Sequence, residues 1–419
     1  EENFMKDYSN IVSYLKLRGS VGKTGSQNLG AYDWRTLMGS ATYNGAAGIV
    51  PSSLGNDILQ WEEQIQKEVG LDYGFWDDRI RGTLGYYQKK VDNLLYSDPV
   101  PTSSSFSSVY QNIGSLKNRG IEFDVRVDII KNAPKDLTWN VDFNIARNRT
   151  TLEKLNSSDG YFGGGAYDYF KIEEGGETGR FYGYKDAGRL FMTNEELVGL
   201  KTIDPKTGTL KYYRDDYNYE RQGDVYIMDL DGDGQITADG DRTVIGNANP
   251  DFFGGFGSTL YWKGLMLNAV FSYSVGGDRF WDEEKNSSGD MNVYNTSNRI
   301  LDSWTVNPGV NASYPRAMYY GWGSNSIITD RYIHDASYLR MTALNLSYRL
   351  PKHLYKNSIL NAVEFTFQAT NLFTWTKYPG MDPQGNFSTT YSAFYNMGID
   401  YSTYPSARTY NFGIKLTLK

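Results

Sequence analysis

Aspartates recur at every second position in one short acidic segment, and this spacing is typical of calcium-binding loops. The segment reads DLDGDGQITADGD over residues 229–241. Carboxylates at loop positions 1, 3 and 5, a glycine at position 6 and a backbone carbonyl at position 7 match an EF-hand loop, whose oxygen donors bind Ca²⁺. The sequence therefore predicts a structural Ca²⁺ site with ligands drawn from Asp229, Asp231, Asp233, Gln235, Asp239 and Asp241.

The twelfth position of this loop departs from the EF-hand pattern. Gly240 lies where a bidentate glutamate is expected, so Asp239 or Asp241 would complete the ligand set. An alternative is an acidic turn without metal, in which the aspartate side chains accept hydrogen bonds from nearby backbone amides. Both alternatives give the segment a structural role within a long loop.

Other residues with chemical potential lack the context that catalysis requires. Residues 22–24 read GKT like the end of a phosphate-binding loop, but Leu17 stands where the first glycine belongs. His334 and Ser337 lie close in sequence without the strand–turn–helix context of a nucleophile elbow. The carboxylates of residues 173–177 lie in a glycine-rich segment and are expected to be solvated. We predict no enzymatic activity, no catalytic residue and no catalytic cofactor.

Aromatic side chains in two glycine-rich segments are candidates for substrate contacts. Aromatic faces can stack on sugar rings or on peptide side chains. The alternative is packing within the loops, or an interface with another protein. The candidate substrate residues are Tyr161, Phe162, Tyr167, Tyr169, Tyr319, Tyr320 and Trp322.

The composition excludes several classes of protein. Of the 419 residues, 15% are aromatic and 22% are charged, which excludes a disordered chain. The net charge of -7 argues against a nucleic-acid partner, because such partners require a basic surplus. The absence of cysteine and the presence of only two histidines exclude thiolate and histidine-rich metal centres. No run approaches the roughly 18 consecutive apolar residues of a membrane-spanning helix.

Long segments alternate between apolar and polar residues, which predicts β-strands with two different faces. The alternation is complete in residues 121–129, 137–145, 363–370 and 409–418. Looser alternation marks six further segments, residues 13–21, 59–75, 79–96, 251–262, 265–275 and 332–350. The chain is therefore predicted to be all-β, with about ten strands.

The links between these strands alternate between short and long. Short links such as residues 76–78 and 263–264 alternate with long links, of which the longest, residues 156–250, contains the acidic segment. This alternation is typical of an antiparallel up-and-down transmembrane β-barrel, which has short periplasmic turns and long extracellular loops. A soluble β-sandwich has no reason to sort its loops in this way.

A transmembrane barrel gives each face of the strands a different solvent. The apolar set faces lipid, and the polar set, such as the even positions of residues 122–128, faces the lumen. Trp76 and Trp262 lie beside short turns, as expected of a periplasmic aromatic girdle. Because the last link is long, the last strand descends and the carboxyl terminus is predicted to be periplasmic.

A series of short motifs follows in order along the whole chain. They are SYLKLRGSVGKTG (13–25), LQWE (59–62), VGLD (69–72), NIG (112–114), NRGIE (118–122), DRTVIG (241–246), DASYLR (335–340), NLFTWTKY (371–378) and DP (382–383). Together they resemble the carboxyl-terminal half of SusC/RagA-type TonB-dependent outer-membrane transporters of Bacteroidetes. The acidic segment has one residue more than the usual family spacing, Gly240, and the chain ends Leu418-Lys419 where an aromatic residue is customary.

The resemblance implies a 22-strand barrel that is occluded by an amino-terminal plug, energised through TonB and capped by a SusD-like surface lipoprotein. Residues 1–419 would form about the last ten strands, with the plug, the TonB box and the first strands outside this sequence. The expected location is the outer membrane of a Bacteroidetes-like Gram-negative cell. The chain would cross this membrane many times, in contact with membrane lipid.

The resemblance also implies a function, namely TonB-dependent import of oligosaccharides. One alternative is an oligopeptide importer of the RagA type. Another, from a different class, is a soluble secreted β-rich glycan-binding module. Loop aromatics suit a glycan or a peptide equally, so the sequence leaves the cargo open.

Overall fold

The computed structural model places strands along most of the chain. It describes residues 7–26, 29–133, 136–155, 161–163, 169–193, 202–203, 210–211, 222–290, 295–309, 312–317, 325, 327–356, 359–385 and 397–418. Within these residues no helix is both long enough and apolar enough to cross a membrane.

The described strands differ widely in length. In chain order they are β1 (Val12–Ser26), β2 (Met38–Tyr43), β3 (Ala46–Pro51), β4 (Glu62–Phe75), β5 (Ile80–Asp92), β6 (Leu95–Pro99), β7 (Ser108–Asn112), β8 (Gly114–Ala133), β9 (Leu137–Leu155), β10 (Tyr161–Gly163), β11 (Phe170–Ile172), β12 (Arg180–Tyr184), β13 (Asp186–Leu190), β14 (Thr202–Ile203), β15 (Leu210–Lys211), β16 (Val225–Ile227), β17 (Arg242–Asn247), β18 (Phe252–Trp262), β19 (Leu265–Val275), β20 (Asp278–Trp281), β21 (Ile333–Asp335), β22 (Tyr338–Arg349), β23 (Leu360–Thr376), β24 (Ile399–Asp400) and β25 (Thr409–Leu418). The helical turns are short: Thr102–Ser104, Ala238–Asp241, Asp282–Glu284, Lys285–Asp290, Asn298–Asp302, Asp330–Tyr332 and Lys352–Tyr355.

Ten strands form one antiparallel sheet, in the order β1-β4-β5-β8-β9-β18-β19-β22-β23-β25. Each strand in this order lies beside the next long strand of the chain, which is the up-and-down connection that the loop lengths predict. Each of the ten predicted segments overlaps one of these strands. The prediction of an all-β barrel fold with ten strands is confirmed.

Two predicted strands are each divided by a change of partner. The predicted strand over residues 79–96 ends at Asp92, because Asn93 has a φ of 57° and the following Leu95–Pro99 pairs with β7. The predicted strand over residues 332–350 is divided in the same way, since Ile333–Asp335 pairs with β20. Alternation identified the extended segments, but long-range pairing sets their ends.

The chain divides into two compact units. Unit 1 comprises Glu1–Tyr161, Ile172–Thr178 and Phe256–Lys263, and unit 2 comprises Phe162–Lys171, Gly179–Gly255 and Gly264–Lys419. Unit 1 therefore contains β1 to β9, and unit 2 contains β19 to β25.

The large sheet of unit 1 has one apolar face. Strand register aligns a row of side chains across five strands, namely Leu17, Leu71, Leu84, Phe123 and Ile145. Two of them are exposed despite being apolar, Leu17 at 76% and Leu84 at 40%. A row of this kind is the expected lipid-facing surface of a barrel wall.

The opposite face of the same sheet carries ion pairs. Arg18 Nε lies 2.9 Å from Asp72 Oδ1, and Arg81 Nη1 lies 3.1 Å from Asp128 Oδ2. Each pair joins neighbouring strands diagonally, two positions away from the directly opposite residue, a separation that the long arginine side chain can span. The predicted division into an apolar face and a polar face is therefore present in unit 1.

The large sheet of unit 2 repeats this division, and its polar face carries amides as well as the charged side chains of Arg349, Glu364 and Lys415. Leu267, Leu346, Phe367 and Phe412 form an apolar row across β19, β22, β23 and β25. The next register position on the other face carries the amides of Asn268, Asn345, Gln368 and Asn411, which we call the amide row. Asn345 Nδ2 donates to Asn268 Oδ1 at 3.0 Å.

The links of unit 2 have a hydrophobic core of their own. Phe181, Phe280 and Tyr332 are fully buried there, and the Phe280 ring packs edge-on against Tyr332 with a centroid distance of 6.3 Å. A second cluster includes Val225 and Ile227, which directly precede the acidic segment. The hydrophobic core therefore anchors the strand from which the acidic segment begins.

Candidate functional site

The acidic segment lies between β16 and β17 and ends in a one-turn helix. Gly232 and Gly234 have φ values of 77° and 83°, which side chains with a Cβ rarely adopt. Thr237 precedes the helix, and its Oγ1 accepts a hydrogen bond from the Gly240 amide at 3.0 Å. These two features turn the backbone around the carboxylates.

The structure brings together three of the predicted ligands. Asp229, Asp231 and Asp233 each offer a carboxylate oxygen, and these atoms lie within 4.8 Å of one another. Asp229 also accepts hydrogen bonds from the Gly232 and Gly234 amides, at 2.7 and 2.8 Å. Oxygen donors at this spacing suit a hard cation such as Ca²⁺.

The remaining predicted ligands occupy different positions. Asp241 is fully buried, and its two oxygens accept hydrogen bonds from the Leu230 amide at 2.7 Å and the Thr237 amide at 2.6 Å. Asp239 is exposed on the short helix, and the Gln235 amide donates to Asp233. Asp241 thus closes the loop through backbone amides, as the acidic-turn alternative expects.

Neighbouring carboxylates alter the electrostatics of the loop. A hydrogen bond from the Asp233 amide lowers the pKa of Asp231, but partial desolvation and the nearby carboxylates of Asp233, Asp241 and Asp229 outweigh it, so the pKa is raised. This repulsion would be relieved by a bound cation. A Cβ at Gly240 would collide with the Asp231 carboxylate, which gives a physical reason for the glycine at the position where the loop departs from the EF-hand pattern.

Of the aromatic side chains predicted to contact substrate, the structure describes only that of Tyr169. Tyr169 is buried in the core of unit 2, where its hydroxyl donates to Asp282 Oδ1 at 2.8 Å and its ring lies edge-on to Phe280. This arrangement is the packing alternative rather than an exposed stacking face. Tyr161 and Phe162 belong to β10, but their side chains lie outside the described part of the structure, as do the residues Tyr167, Tyr319, Tyr320 and Trp322.

A buried network around Glu284 joins three segments of unit 2. Glu284 Oε2 lies 2.5 Å from His334 Nε2, and Oε1 accepts hydrogen bonds from Arg299 at 2.7 Å and from the Tyr314 hydroxyl at 3.2 Å. The Arg299 guanidinium also lies over the Trp281 ring, 4.5 Å from its centroid. Burial, with the nearby Glu284 carboxylate, raises the pKa of Tyr314.

The side chains next to His334 do not form a nucleophile site. The Ser337 hydroxyl donates to Asp335 Oδ1 at 2.5 Å and accepts a hydrogen bond from the Gly276 amide at 2.9 Å. His334 is directed instead to Glu284. The histidine is therefore not paired with the serine hydroxyl, as a serine nucleophile would require.

A cavity of about 400 Å³ lies between two hairpins of unit 1, and we call it the inter-hairpin cavity. One hairpin is formed by β2 and β3, and the other by β6 and β7. The cavity is lined by residues 51–54 and 105–110, together with Asp33 and Leu37. No motif in the sequence indicates this cavity, because its two walls come from distant segments that carry no regular spacing.

Comparisons with known proteins agree with this architecture. Residues 8–372 match the family described as TonB dependent receptor-like, beta-barrel. The chain is 32% identical to TonB-dependent receptor P3 of Formosa agariphila, over 99% of this chain and 40% of that protein. It is 29% identical to TonB-dependent receptor SusC of Bacteroides thetaiotaomicron, over 99% of this chain and 38% of that protein. The solved RagAB peptide transporter superposes with a TM-score of 0.73 at 26% identity, over 99% of this chain and 42% of that one.

This chain belongs to the TonB-dependent receptor β-barrel family, and it is of the SusC/RagA type. The resemblance inferred from its motifs is confirmed. The family is one of outer-membrane transporters rather than enzymes. The chain spans less than half the length of these relatives.

Proposed function

We propose that this chain forms one wall of a TonB-dependent importer in the outer membrane of a Bacteroidetes-like cell. The observation that carries the proposal is the exposed apolar row of unit 1, which includes Leu17 and Leu84, on a sheet whose other face pairs Arg18 with Asp72. Exposed leucines in a regular row are costly in water and stable in lipid. The family match favours this membrane barrel over a soluble glycan-binding module.

The proposed orientation places the short turn at residues 76–78 in the periplasm. Trp76, Asp77 and Asp78 all have positive φ values, between 53° and 59°, which allows a tight connection between β4 and β5. The long links would then be extracellular, and the carboxyl terminus would be periplasmic. Coupling to TonB is proposed from membership of the family.

We propose oligosaccharides as the cargo, delivered with a SusD-like surface lipoprotein. The amide row of unit 2 supports this cargo, since uncharged amides both donate and accept hydrogen bonds, as sugar hydroxyls require. Peptides are the second candidate, because the RagAB relative is described as a peptide transporter. We assign no reaction to the chain.

We also propose that the acidic segment holds a structural Ca²⁺ ion. Asp229, Asp231 and Asp233 would supply carboxylate oxygens, and Gln235 would supply its carbonyl. Asp241 would fix the loop from within, and Asp239 is the remaining candidate ligand. The ion would stabilise the loop and take no part in transport chemistry.

Growth of the host on defined carbon sources tests the import proposal. We expect deletion of the gene to abolish growth on one class of neutral polysaccharide and to leave growth on glucose unchanged. Co-purification from detergent-solubilised outer membranes should recover a lipoprotein partner. Loss of growth on peptides alone would favour the second cargo, whereas unchanged growth on every polymer would overturn the importer.

A further inference from the structure

The walls of the inter-hairpin cavity are fixed before any ligand arrives. Ser52 Oγ donates to the Leu37 carbonyl at 3.1 Å, and Ser53 Oγ accepts a hydrogen bond from the Leu37 amide at 3.0 Å. On the other wall, the hydroxyls of Ser97 and Ser108 lie 2.8 Å apart and are hydrogen-bonded. A preformed cavity costs less ordering on binding than a flexible loop does.

One backbone bridge and one side-chain hydrogen bond also join the two hairpins. Leu54 forms a parallel bridge with Val109, which is buried. Asn56 Nδ2 donates to the Tyr110 carbonyl at 2.9 Å. The two hairpins therefore hold a constant separation, and the cavity between them has a defined width.

The lining combines hydroxyl groups with apolar faces. Five serines line the cavity, and within the described residues no hydrogen bond engages the hydroxyls of Ser105 and Ser107. Phe106 and Tyr110 add aromatic rings to the same surface. At about 400 Å³, the cavity is near the lower end of the range for small-molecule sites, roughly 300–1,000 Å³.

We propose that the inter-hairpin cavity is a saccharide subsite that takes one or two rings of a neutral glycan. Serine hydroxyls both donate and accept hydrogen bonds, which matches sugar hydroxyls. The apolar face of a sugar ring packs on an aromatic ring such as that of Phe106. This inference rests on the proposed import of oligosaccharides for its role, and it names where in unit 1 the glycan is held.

The charge of the lining selects against other ligands. Asp33 is the charged residue among the lining residues, all of which the structure describes, and its Oδ2 accepts a hydrogen bond from the Gly30 amide at 2.8 Å. Uronic acids, sulfated sugars and peptide carboxylates would meet a carboxylate and no cation in this cavity. A neutral sugar carries no such penalty.

Calorimetry on the full-length transporter in detergent tests the subsite. The probes are maltohexaose, cellohexaose, xylohexaose and mannohexaose, with hexagalacturonate and hexa-alanine as the charged-sugar and peptide comparisons. Phe106→Ala removes the aromatic face, and Ser107→Trp fills the cavity without breaking a hydrogen bond. Ser103→Trp is the matched control, since Ser103 is exposed in the same loop and outside the lining.

We expect one neutral probe to bind, and we expect Phe106→Ala and Ser107→Trp each to weaken that binding by about tenfold. Ser103→Trp should leave it unchanged, and all three variants should keep the heat-modifiable gel migration of a folded barrel. Binding of hexagalacturonate or hexa-alanine alone would overturn the neutral-sugar assignment. So would the absence of binding to every neutral probe.

Growth of strains that carry these variants separates the subsite from the import function. Normal growth on the polysaccharide with unchanged probe affinity in Phe106→Ala and Ser107→Trp would overturn the subsite and leave import intact. Loss of growth in the gene deletion, without loss of growth in the cavity variants, would support the import proposal and not the subsite. Loss of growth in both cavity variants, with normal growth of Ser103→Trp, supports the subsite.

Discussion

At the residue scale, Arg340 fixes a loop segment to the barrel wall of unit 2. It lies on β22 and is 4% exposed, and its Nη2 lies 2.6 Å from Asp382 Oδ1. The same guanidinium donates to Thr374 Oγ1 at 3.0 Å and to Gln384 Oε1 at 2.6 Å. The planar fork of arginine reaches several acceptors at once, which a lysine in this position would not do.

We predict that Arg340→Met releases this segment. Removing one partner of a buried ion pair leaves the other charge uncompensated and costs about 3–5 kcal/mol. Limited proteolysis of the purified transporter should therefore show faster cleavage near Asp382. Arg349→Met, on the exposed end of the same strand, is the control and should behave as wild type. Equal cleavage in both variants would show that Arg340 does not hold the segment around Asp382 to β22.

The ion pair of Arg340 with Asp382 predicts that the stability of this part of the fold depends on pH. Burial raises the pKa of Asp382, but the hydrogen bonds from Arg340 and from the amides of Gln384 and Ser406 outweigh burial, so the pKa lies below its usual range. A lowered folded-state pKa stabilises the fold above the unfolded value, about 3.9, and this stability is lost as the pH falls through the folded-state pKa.

Hydrogen exchange of the backbone near Ser406 should report this loss. We expect protection, corrected for the intrinsic pH dependence of exchange, to be constant from pH 7 to pH 5 and to fall in more acidic solution. Asp382→Asn should flatten the profile. If the protection of the wild-type protein near Ser406 stays constant below pH 4, the role assigned to the Asp382 carboxylate is wrong.

At the element scale, the proposed Ca²⁺ site would make the stability of the acidic segment depend on a cation. We predict that EGTA increases proteolysis at residues 229–241 and that Ca²⁺ restores protection. The double variant Asp231→Asn with Asp233→Asn should lose this response, because it removes two of the three clustered carboxylates. Asp302→Asn is the control, since Asp302 is an exposed carboxylate outside the acidic segment. A loop that is equally protected with and without Ca²⁺ would favour the acidic turn.

A second element-scale feature is the attachment between the loops that carry the inter-hairpin cavity. Asn112 accepts a hydrogen bond from the Gln60 amide at 2.8 Å, and its Nδ2 donates to the carbonyls of Gln60 and Asn93 at 2.9 and 2.8 Å. We predict that Asn112→Ala loosens both loops and increases hydrogen exchange at Gln60. Gln111→Ala on the neighbouring position should have a smaller effect, because its side chain bonds Asp98 within its own hairpin. Similar hydrogen exchange at Gln60 in the two variants would show that Asn112 does not hold the two loops together.

The sequence predicts some elements of this fold and not others, for physical reasons. Alternation along the chain is a local property, so the strands with Leu84, Phe123 and Phe412 were predictable. The cluster of Asp229, Asp231 and Asp233 was predictable as well, because its members lie within five residues. The pairing of Leu54 with Val109 depends on contacts between distant segments, which no local pattern encodes. The inter-hairpin cavity was missed for that reason.

At the scale of the whole molecule, the apolar row predicts an asymmetric tolerance of charge. A lipid-facing arginine costs about 2–4 kcal/mol at the bilayer centre and less near the interfaces. We predict that Leu84→Arg lowers the fraction of folded protein in the outer membrane, measured by heat-modifiable gel migration. Thr83→Arg, one residue away on the opposite face, should fold normally because it meets Asp124 across the ladder. Equal losses in both variants would contradict the lipid-facing assignment.

The amide row of unit 2 has a consequence for how this sheet responds to salt. Asn268, Asn345, Gln368 and Asn411 carry no formal charge, so ions do not screen the hydrogen bond between Asn345 and Asn268. The charged side chains of Arg349, Glu364 and Lys415 follow on the same face, and their mutual attraction weakens as the ionic strength rises. High salt should therefore loosen the end of the sheet at Glu364 before it affects the amide row.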